Sequence, residues 1–197
     1  MSPTTVGMAA AIRRKRSMYP ALVVIPQARL GQRFFHPEMQ EMVMAQLDRT
    51  LAEFRVDAGR VYLAGFSMGA GSAYGIAARW RSRFAALVAI AGPVTWPRAD
   101  VVQAPEREIL RRSHPFLTTP DPYATLASEL KGMPIWIFQG AADQPGLIDQ
   151  SRRLAAALKD AGANASYSEL EGFDHNGAAA KVYADEAMLA WLLAQRR

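Results

Sequence analysis

Short apolar runs bounded by turn residues alternate along the chain with longer segments of helical periodicity. The first four runs contain almost no polar residues, which is typical of parallel strands buried on both faces of a sheet. The fifth run is more polar, as suits a strand near a sheet edge. The predicted strands are residues 21–25, 61–64, 86–91, 135–138 and 165–170.

Apolar positions at helical spacing lie between these strands. Residues 43–54 show this pattern before the second strand, and residues 147–158 show it after the fourth, with Gly162 as the predicted helix stop. Residues 181–195 are predicted to form one closing amphipathic helix. The alternation of strand and helix predicts an α/β protein with a mostly parallel sheet and helices on both faces.

One proline-rich segment, residues 93–132, interrupts this rhythm, and only short helices fit there. A connection of this length in a compact domain is usually functional or disordered. We therefore expect residues 1–197 to form a single domain, in which this irregular excursion is either a lid or pocket wall, or a surface loop.

The composition excludes several classes of protein. The chain is 50% hydrophobic and 21% charged, with a formal net charge of +5 and no cysteine. The missing cysteines exclude disulfides and thiolate metal sites, and no apolar run is long enough to predict a membrane span. The basic run at residues 13–16 lacks the aromatic residues of a nucleic-acid interface and is interpreted as a solvated helix face.

The N-terminus does not resemble a secretory signal, because its basic cluster follows a weak apolar stretch instead of preceding a strong one. We therefore expect a cytoplasmic protein, although a truncated front could hide such a signal.

The strongest chemical signal is the sequence Gly65-Phe66-Ser67-Met68-Gly69, which follows the second predicted strand and precedes a run of small residues compatible with a helix. In this context the G-x-S-x-G pattern predicts a tight strand-to-helix turn that lifts the serine hydroxyl off the end of the sheet. The two glycines leave room for the turn. Ser67 is therefore the candidate nucleophile.

A serine hydroxyl needs a base, and the chain holds three histidines, His36, His114 and His175. Sites of this type follow the chain order serine, acid, histidine, which argues against His36. His114 lies in the proline-rich excursion, before any strand that could deliver the acid. His175 follows the last predicted strand in a loop that leads to the final helix, so it is the candidate base.

The acid should leave the strand that precedes the histidine. Asp143 follows the strand at residues 135–138, where a carboxylate can accept a hydrogen bond from the imidazole. Asp149 is the runner-up but falls in the following helix, and Asp174 is interpreted as a solvent-facing loop residue. Serine, acid and histidine would then meet at the carboxyl ends of parallel strands, where open α/β sheets bind ligands.

Residues 57–69, 83–88 and 134–143 resemble bacterial phospholipase/carboxylesterase-like hydrolases of the α/β-hydrolase superfamily. These enzymes are related to feruloyl esterases, polyhydroxybutyrate-depolymerase-like proteins and prolyl-oligopeptidase-like peptidases. The similarity runs from about Pro20 to the C-terminus. It implies a serine esterase that needs no metal or organic cofactor, with the backbone N–H of Met68 as an oxyanion donor. It does not supply a substrate.

The chain departs from these enzymes at its front. They begin with two or three further strands, the third of which ends in a His-Gly-type loop that helps to form the oxyanion hole, and this chain has no His-Gly pair. The strand at residues 21–25 corresponds by order to their fourth strand. The chain is therefore interpreted as an N-terminally shortened α/β-hydrolase, and its exposed sheet edge invites pairing with another chain. Either the chain is a fragment, or something such as a homodimer covers this edge.

The sequence thus predicts a serine hydrolase that cleaves small-molecule carboxylic esters through a Ser-His-Asp triad. Phe66, Met68, Trp96 and Gln27 are candidates for the substrate pocket, with simple packing as the alternative role. Two other functions stay open, a serine peptidase of the prolyl-oligopeptidase-like type and an inactive truncated hydrolase with a binding role. A nucleic-acid partner is not expected.

Overall fold

Four of the five predicted strands form one parallel sheet in the computed structural model, which describes residues 7–95 and 104–197. The strands lie side by side in chain order, so each pairs with the next one along the sequence. The predicted α/β class is confirmed. The strands are β1 (Tyr62–Phe66), β2 (Ala86–Ile90), β3 (Ile135–Gly140) and β4 (Ala165–Leu170).

Helices cover both faces of this sheet, and the described ranges also contain three short 3-10 turns. The sheet grows in one direction, and crossovers between parallel strands are right-handed, so the helices that connect the strands lie on the same face. The α-helices are α1 (Gly7–Arg14), α2 (Pro37–Glu53), α3 (Met68–Arg79), α4 (Ala104–Ser113), α5 (Pro122–Leu130), α6 (Pro145–Asp160), α7 (His175–Tyr183) and α8 (Glu186–Ala194).

The alternation of side chains along β2 divides the core into two layers. Leu87 and Ala89 pack with α3, α5 and α6 on the crossover face, whereas Ala86, Val88 and Ile90 pack with α1, α7 and α8 on the other. All five side chains are fully buried. The strand β2 is therefore a continuous run of apolar residues, which is why it was recognisable in the sequence.

The predicted strand at residues 21–25 is wrong. The segment has no regular secondary structure, and the side chains of residues 22–25 are 37–53% exposed. Within the described residues, β1 pairs only with β2, and its other edge is open. An extended segment becomes a strand only when a neighbour takes up its backbone hydrogen bonds, so apolar composition alone was insufficient. A homodimer that covers this edge stays a prediction.

The single closing helix predicted at residues 181–195 is also wrong. The structure has two helices there, and the first of them, α7, already begins at His175. The Asp185 carboxylate accepts hydrogen bonds from the N–H groups of Ala187 and Met188 and thereby starts α8. An aspartate at the N-cap position favours a new helix over the continuation of the old one. Gly162 lies just past the end of α6 with a φ of +66°, in keeping with its predicted role as a helix stop.

The excursion at residues 93–132 contains α4 and α5, and both of these helices contact α3. Its residues 96–103 lie outside the described part of the chain. A lid function for this excursion stays a prediction. In the part of the chain that the structure describes, every helix is too short or too polar to cross a membrane.

Candidate active site

The turn between β1 and α3 carries Ser67 in a strained backbone conformation, with φ 55° and ψ −124°. A positive φ is costly for a residue with a side chain and persists only where its surroundings enforce it. Here a Cβ on Gly65 would lie 2.4 Å from the Gly69 carbonyl oxygen, so strand and helix approach as closely as glycine permits. The Ser67 N–H donates to the Ile90 carbonyl at 2.9 Å, which fixes the turn to β2. The serine hydroxyl is thus presented at the carboxyl end of the sheet.

Two hydrogen bonds join the three residues that the sequence singled out. His175 Nε2 lies 2.8 Å from Ser67 Oγ, and His175 Nδ1 lies 2.7 Å from Asp143 Oδ2. A carboxylate only accepts, so the Nδ1–H donates to Asp143, and Nε2 is left to accept from the serine hydroxyl. This arrangement can take a proton from the serine and hold the charge that develops on the imidazole.

The loop that links β4 to α7 positions His175. A Cβ on Gly140 would lie 2.4 Å from the Phe173 carbonyl oxygen, and the Ala142 N–H donates to the same oxygen at 3.0 Å. The exposed Asp174 side chain accepts from the Gly177 N–H at 2.7 Å, so it is the N-cap of α7. The loop therefore rests directly on the end of β3 and holds the first residue of α7 beside the acid.

Asp143 is the most enclosed member of the three, since its side chain is only 1% exposed. Its Oδ1 accepts from the Gln144 N–H at 2.7 Å, and its Oδ2 accepts from Gln139 Nε2 at 2.7 Å as well as from His175. Gln139 Oε1 in turn lies 2.8 Å from Ser151 Oγ. Sequence reasoning missed Gln139 and Ser151 as site residues. The available signal was Ser151, a polar residue at an apolar-face position of the helical pattern in residues 147–158, and Gln139, which directly follows the predicted strand at residues 135–138.

The other two histidines lie elsewhere. His36 stands just before α2, where its ring contacts the backbone of Arg33. His114 is 1% exposed between the rings of Phe35 and Phe116, and burial lowers its pKa to about 4. The imidazole that is hydrogen-bonded to both Ser67 and Asp143 is that of His175, which stays the candidate base.

An open cleft of about 320 Å³ is bordered by Ser67. Apolar side chains and two glutamines share its wall, so it can accept a small molecule with both apolar and polar groups. Sequence reasoning found Met68 but missed the contribution from the start of α6. The cleft is lined by Ser67, Met68, Pro93, Gln144, Gly146, Leu147 and Gln150.

The other pocket residues suggested by the sequence lie differently. The Phe66 ring packs against the His175 imidazole, with centroids 4.8 Å apart, and Phe66 is not among the residues that line the cleft. Gln27 is exposed in the irregular segment that follows residues 21–25 and is not a lining residue either. Trp96 lies outside the described residues. Substrate roles for these three residues stay predictions.

Gln150 ties two walls of the cleft together. Its Oε1 accepts from the N–H groups of Val94 and Thr95, each at 2.8 Å, and from Thr95 Oγ1 at 3.2 Å. The segment that follows β2 is thereby fixed to α6. Within residues 7–95 and 104–197, no group of three or more histidine, aspartate or glutamate side chains is arranged to hold a metal ion.

The sequence profile of the prolyl oligopeptidase family matches residues 39–196, which include all three hydrogen-bonded residues. The chain belongs to the prolyl oligopeptidase family. Membership places it in the α/β-hydrolase superfamily, so the resemblance seen in the sequence is confirmed. Comparison with curated protein sequences gave no match.

Solved structures of several hydrolases share the fold of this prolyl oligopeptidase family member. A thermostable esterase has a TM-score of 0.61 at 23% identity, over 81% of this chain and 37% of its own. The S-formylglutathione hydrolase from Agrobacterium tumefaciens has a TM-score of 0.58 at 22% identity, and the match covers 81% of this chain and 58% of the hydrolase. The acylaminoacyl peptidase from Pyrococcus horikoshii has a TM-score of 0.57 at 16% identity, and the match covers 78% of this chain and 27% of the peptidase. The chain thus spans less than two thirds of each of these proteins.

Proposed function

We propose that this chain is a serine hydrolase that cleaves small carboxylic esters through an acyl-enzyme intermediate on Ser67. The observation that carries the proposal is the pair of hydrogen bonds, 2.8 and 2.7 Å long, from the serine through His175 to Asp143. A serine hydroxyl is a weak nucleophile until an adjacent base accepts its proton, and the base must itself be oriented by a third group. The strained turn at Ser67 adds support, because it exposes the hydroxyl.

In the proposed acylation step, Ser67 Oγ attacks the ester carbonyl carbon while His175 Nε2 takes its proton. Asp143 accepts from the Nδ1–H and stabilises the imidazolium that forms. The negative charge moves to the carbonyl oxygen. The Met68 N–H is the candidate donor to this oxyanion, because the first N–H groups of a helix have no partner within the helix. The positive end of the α3 dipole acts in the same direction.

The tetrahedral intermediate then collapses, and His175 gives its proton to the leaving alcohol. Water deacylates Ser67 by the same route, with His175 again as the base, and the free serine is regenerated.

The cleft supports a substrate of modest size. Its volume of about 320 Å³ lies near the lower end of small-molecule sites. Met68, Pro93 and Leu147 offer apolar contact, and the amides of Gln144 and Gln150 stand among them. We therefore expect esters with short acyl chains to be better substrates than long-chain lipids.

Peptide or aminoacyl-amide hydrolysis is the second candidate function. Membership of the prolyl oligopeptidase family favours it, and the same triad can protonate a leaving amine as readily as an alcohol.

The test is hydrolysis of p-nitrophenyl esters, from acetate to octanoate, beside amino-acid p-nitroanilides. We expect ester turnover that Ser67→Ala lowers by at least about 1000-fold, because the nucleophile is lost. Ser128→Ala, which removes an exposed hydroxyl on α5, is the matched control and should keep wild-type rates. Faster turnover of the anilides would favour the peptidase. A folded wild-type protein no faster than Ser67→Ala would contradict both hydrolytic functions and favour the inactive binding role.

A further inference from the structure

A buried glutamine stands behind the candidate acid. Gln139 lies near the carboxyl end of β3 and is 0% exposed. An amide buried without partners costs several kcal/mol of folding free energy, so buried amides are retained where both ends are hydrogen-bonded. Here one end faces Asp143 and the other faces Ser151, which is also 0% exposed.

The direction of each hydrogen bond in this group follows from the carboxylate. An ionised carboxylate only accepts, so the Gln139 amide turns its Nε2 toward Asp143 Oδ2, at 2.7 Å. The amide oxygen must then face Ser151, and the serine hydroxyl must donate to it, at 2.8 Å. The result is one ordered chain that runs from Ser151 through Gln139 to the same carboxylate oxygen that accepts from His175.

We propose that Gln139 and Ser151 are positioning residues that hold Oδ2 of the Asp143 carboxylate toward the Nδ1–H of His175. The inference rests on the proposed function, since it assigns these residues to the same triad. Without Gln139, the hydrogen bond from the Gln144 N–H to Oδ1 remains on the side away from the imidazole. The terminal torsion of an aspartate is broad, so this one bond and the bond to the imidazole itself fix the orientation of the carboxylate less firmly than three bonds do. A rotated carboxylate no longer orients the imidazole.

Ser151 connects this group to the packing of α6. It shares the buried face of that helix with Leu154 and Leu158. The same helix begins beside the cleft, where it contributes Leu147 and Gln150 to the wall. The acid is thus oriented from the helix that shapes the substrate cleft, and neither Gln139 nor Ser151 lines the cleft itself.

The first test is the replacement of Gln139 by methionine, which keeps the length of the side chain and removes the amide. With the p-nitrophenyl ester that wild-type enzyme turns over best, we expect Gln139→Met to lower kcat about 10- to 100-fold, since a hydrogen bond to a charged group is lost. KM should stay within about twofold of wild type, because the residue does not line the cleft. Ser151→Ala should lower kcat about 3- to 10-fold, and Ser151→Thr, which keeps the hydroxyl, should restore it.

A control separates positioning from loss of stability. Leu158→Ala opens the buried face of α6 without touching the hydrogen-bonded chain, and it should lower Tm while leaving kcat unchanged at temperatures well below Tm. If Leu158→Ala lowers kcat as much as Gln139→Met, or if Gln139→Met keeps kcat within twofold of wild type, the positioning role is wrong.

A second readout does not depend on turnover. The His175 Nδ1 proton, bonded to a carboxylate, should give a far-downfield proton NMR resonance that disappears in Asp143→Asn. We expect Gln139→Met to shift or broaden this resonance and Leu158→Ala to leave it unchanged. If wild-type protein hydrolyses no substrate, the proposed function fails and the resonance decides alone. A resonance identical in wild type and Gln139→Met would then overturn the positioning role.

Discussion

Two aspartates six positions apart differ completely in their surroundings. The Asp143 side chain is 1% exposed and accepts three hydrogen bonds, whereas the Asp149 side chain is 65% exposed and has an ion pair with Arg153 at 3.9 Å. An exposed pair of this kind contributes little to stability. Enclosure and donors therefore single out Asp143, the residue that chain order and the end of a buried strand also indicated.

Asp143→Asn should lower kcat for ester hydrolysis roughly 10,000-fold, because an amide no longer holds the imidazole in the tautomer that accepts the serine proton. Asp149→Asn is the matched control and should retain wild-type kcat, since it makes the same chemical change on the exposed face of α6. Steady-state kinetics of the two variants and the wild type would check this. Equal losses in both variants would contradict the assignment of the acid.

The three candidate catalytic residues could be predicted from the sequence because each follows a strand in the order that the chemistry requires. Gln139 and Ser151 could not be identified as partners of the acid, although both were visible. Ser151 occupies an apolar-face position of α6, and Gln139 precedes the last residue of β3, just beyond the predicted strand. The pattern does not indicate which polar side chains become buried next to each other.

At the scale of elements, the site depends on the seating of one loop on the end of one strand. The Phe173 and Asp174 carbonyl oxygens lie 2.4 and 2.8 Å from where a Gly140 Cβ would stand, so a methyl group has no room there. If a residue with a side chain replaces Gly140, the loop after β4 must therefore move away from the end of β3, and His175 would move with it.

Gly140→Ala should lower kcat at least about 100-fold, since a displacement of the base by about 1 Å already costs that much. Gly132→Ala is the matched control, because its Cβ would meet only the flexible end of Arg81, at 3.1 Å. Ester kinetics, with circular dichroism to verify folding, would check the pair. Full activity in folded Gly140→Ala would mean that the loop does not position the base.

The strand β2 was predictable because it is completely buried, and β4 was predictable because turns mark its ends. The wrong assignments at residues 21–25 and 181–195 have a common physical reason. A strand needs a neighbour that lies far away in sequence, and the break between α7 and α8 depends on the capping carboxylate of Asp185. Local hydrophobic periodicity indicates neither the distant neighbour of a strand nor the capping residue that starts a new helix.

For the molecule as a whole, a buried histidine joins the excursion at residues 93–132 to the crossover layer. His114 Nδ1 lies 2.9 Å from Ser113 Oγ, and its Nε2 lies 3.3 Å from the Gly71 carbonyl oxygen. A Cβ on Gly75 would lie 2.5 Å from Nε2, so α3 and the end of α4 meet closely at this imidazole. Burial removes the charged imidazolium from solvent, and the positive charge of Arg79 also disfavours protonation, so the pKa of His114 is lowered to about 4.

This histidine should make the protein less stable in acid. The pKa is about 6.5 in the unfolded chain and about 4 in the folded one, so between these pH values the unfolded chain takes up a proton that the folded protein refuses. The free energy of unfolding attributable to His114 should fall by about 2 kcal/mol from pH 7.5 to pH 5. Urea unfolding of wild type and His114→Gln at both pH values would measure it. A variant with the same pH dependence as wild type would contradict this origin.

The hydrogen bond between Ser67 and His175 joins residues 108 positions apart in the chain. During synthesis, the serine turn emerges and can fold against β1 and α3 long before the histidine leaves the ribosome. Until β3, β4 and the loop on Gly140 are in place, the serine hydroxyl lacks its hydrogen bond to His175, the proposed base. Under the proposed function, a chain that ends before His175 should therefore be inert toward acyl donors, although its Ser67 turn is already complete.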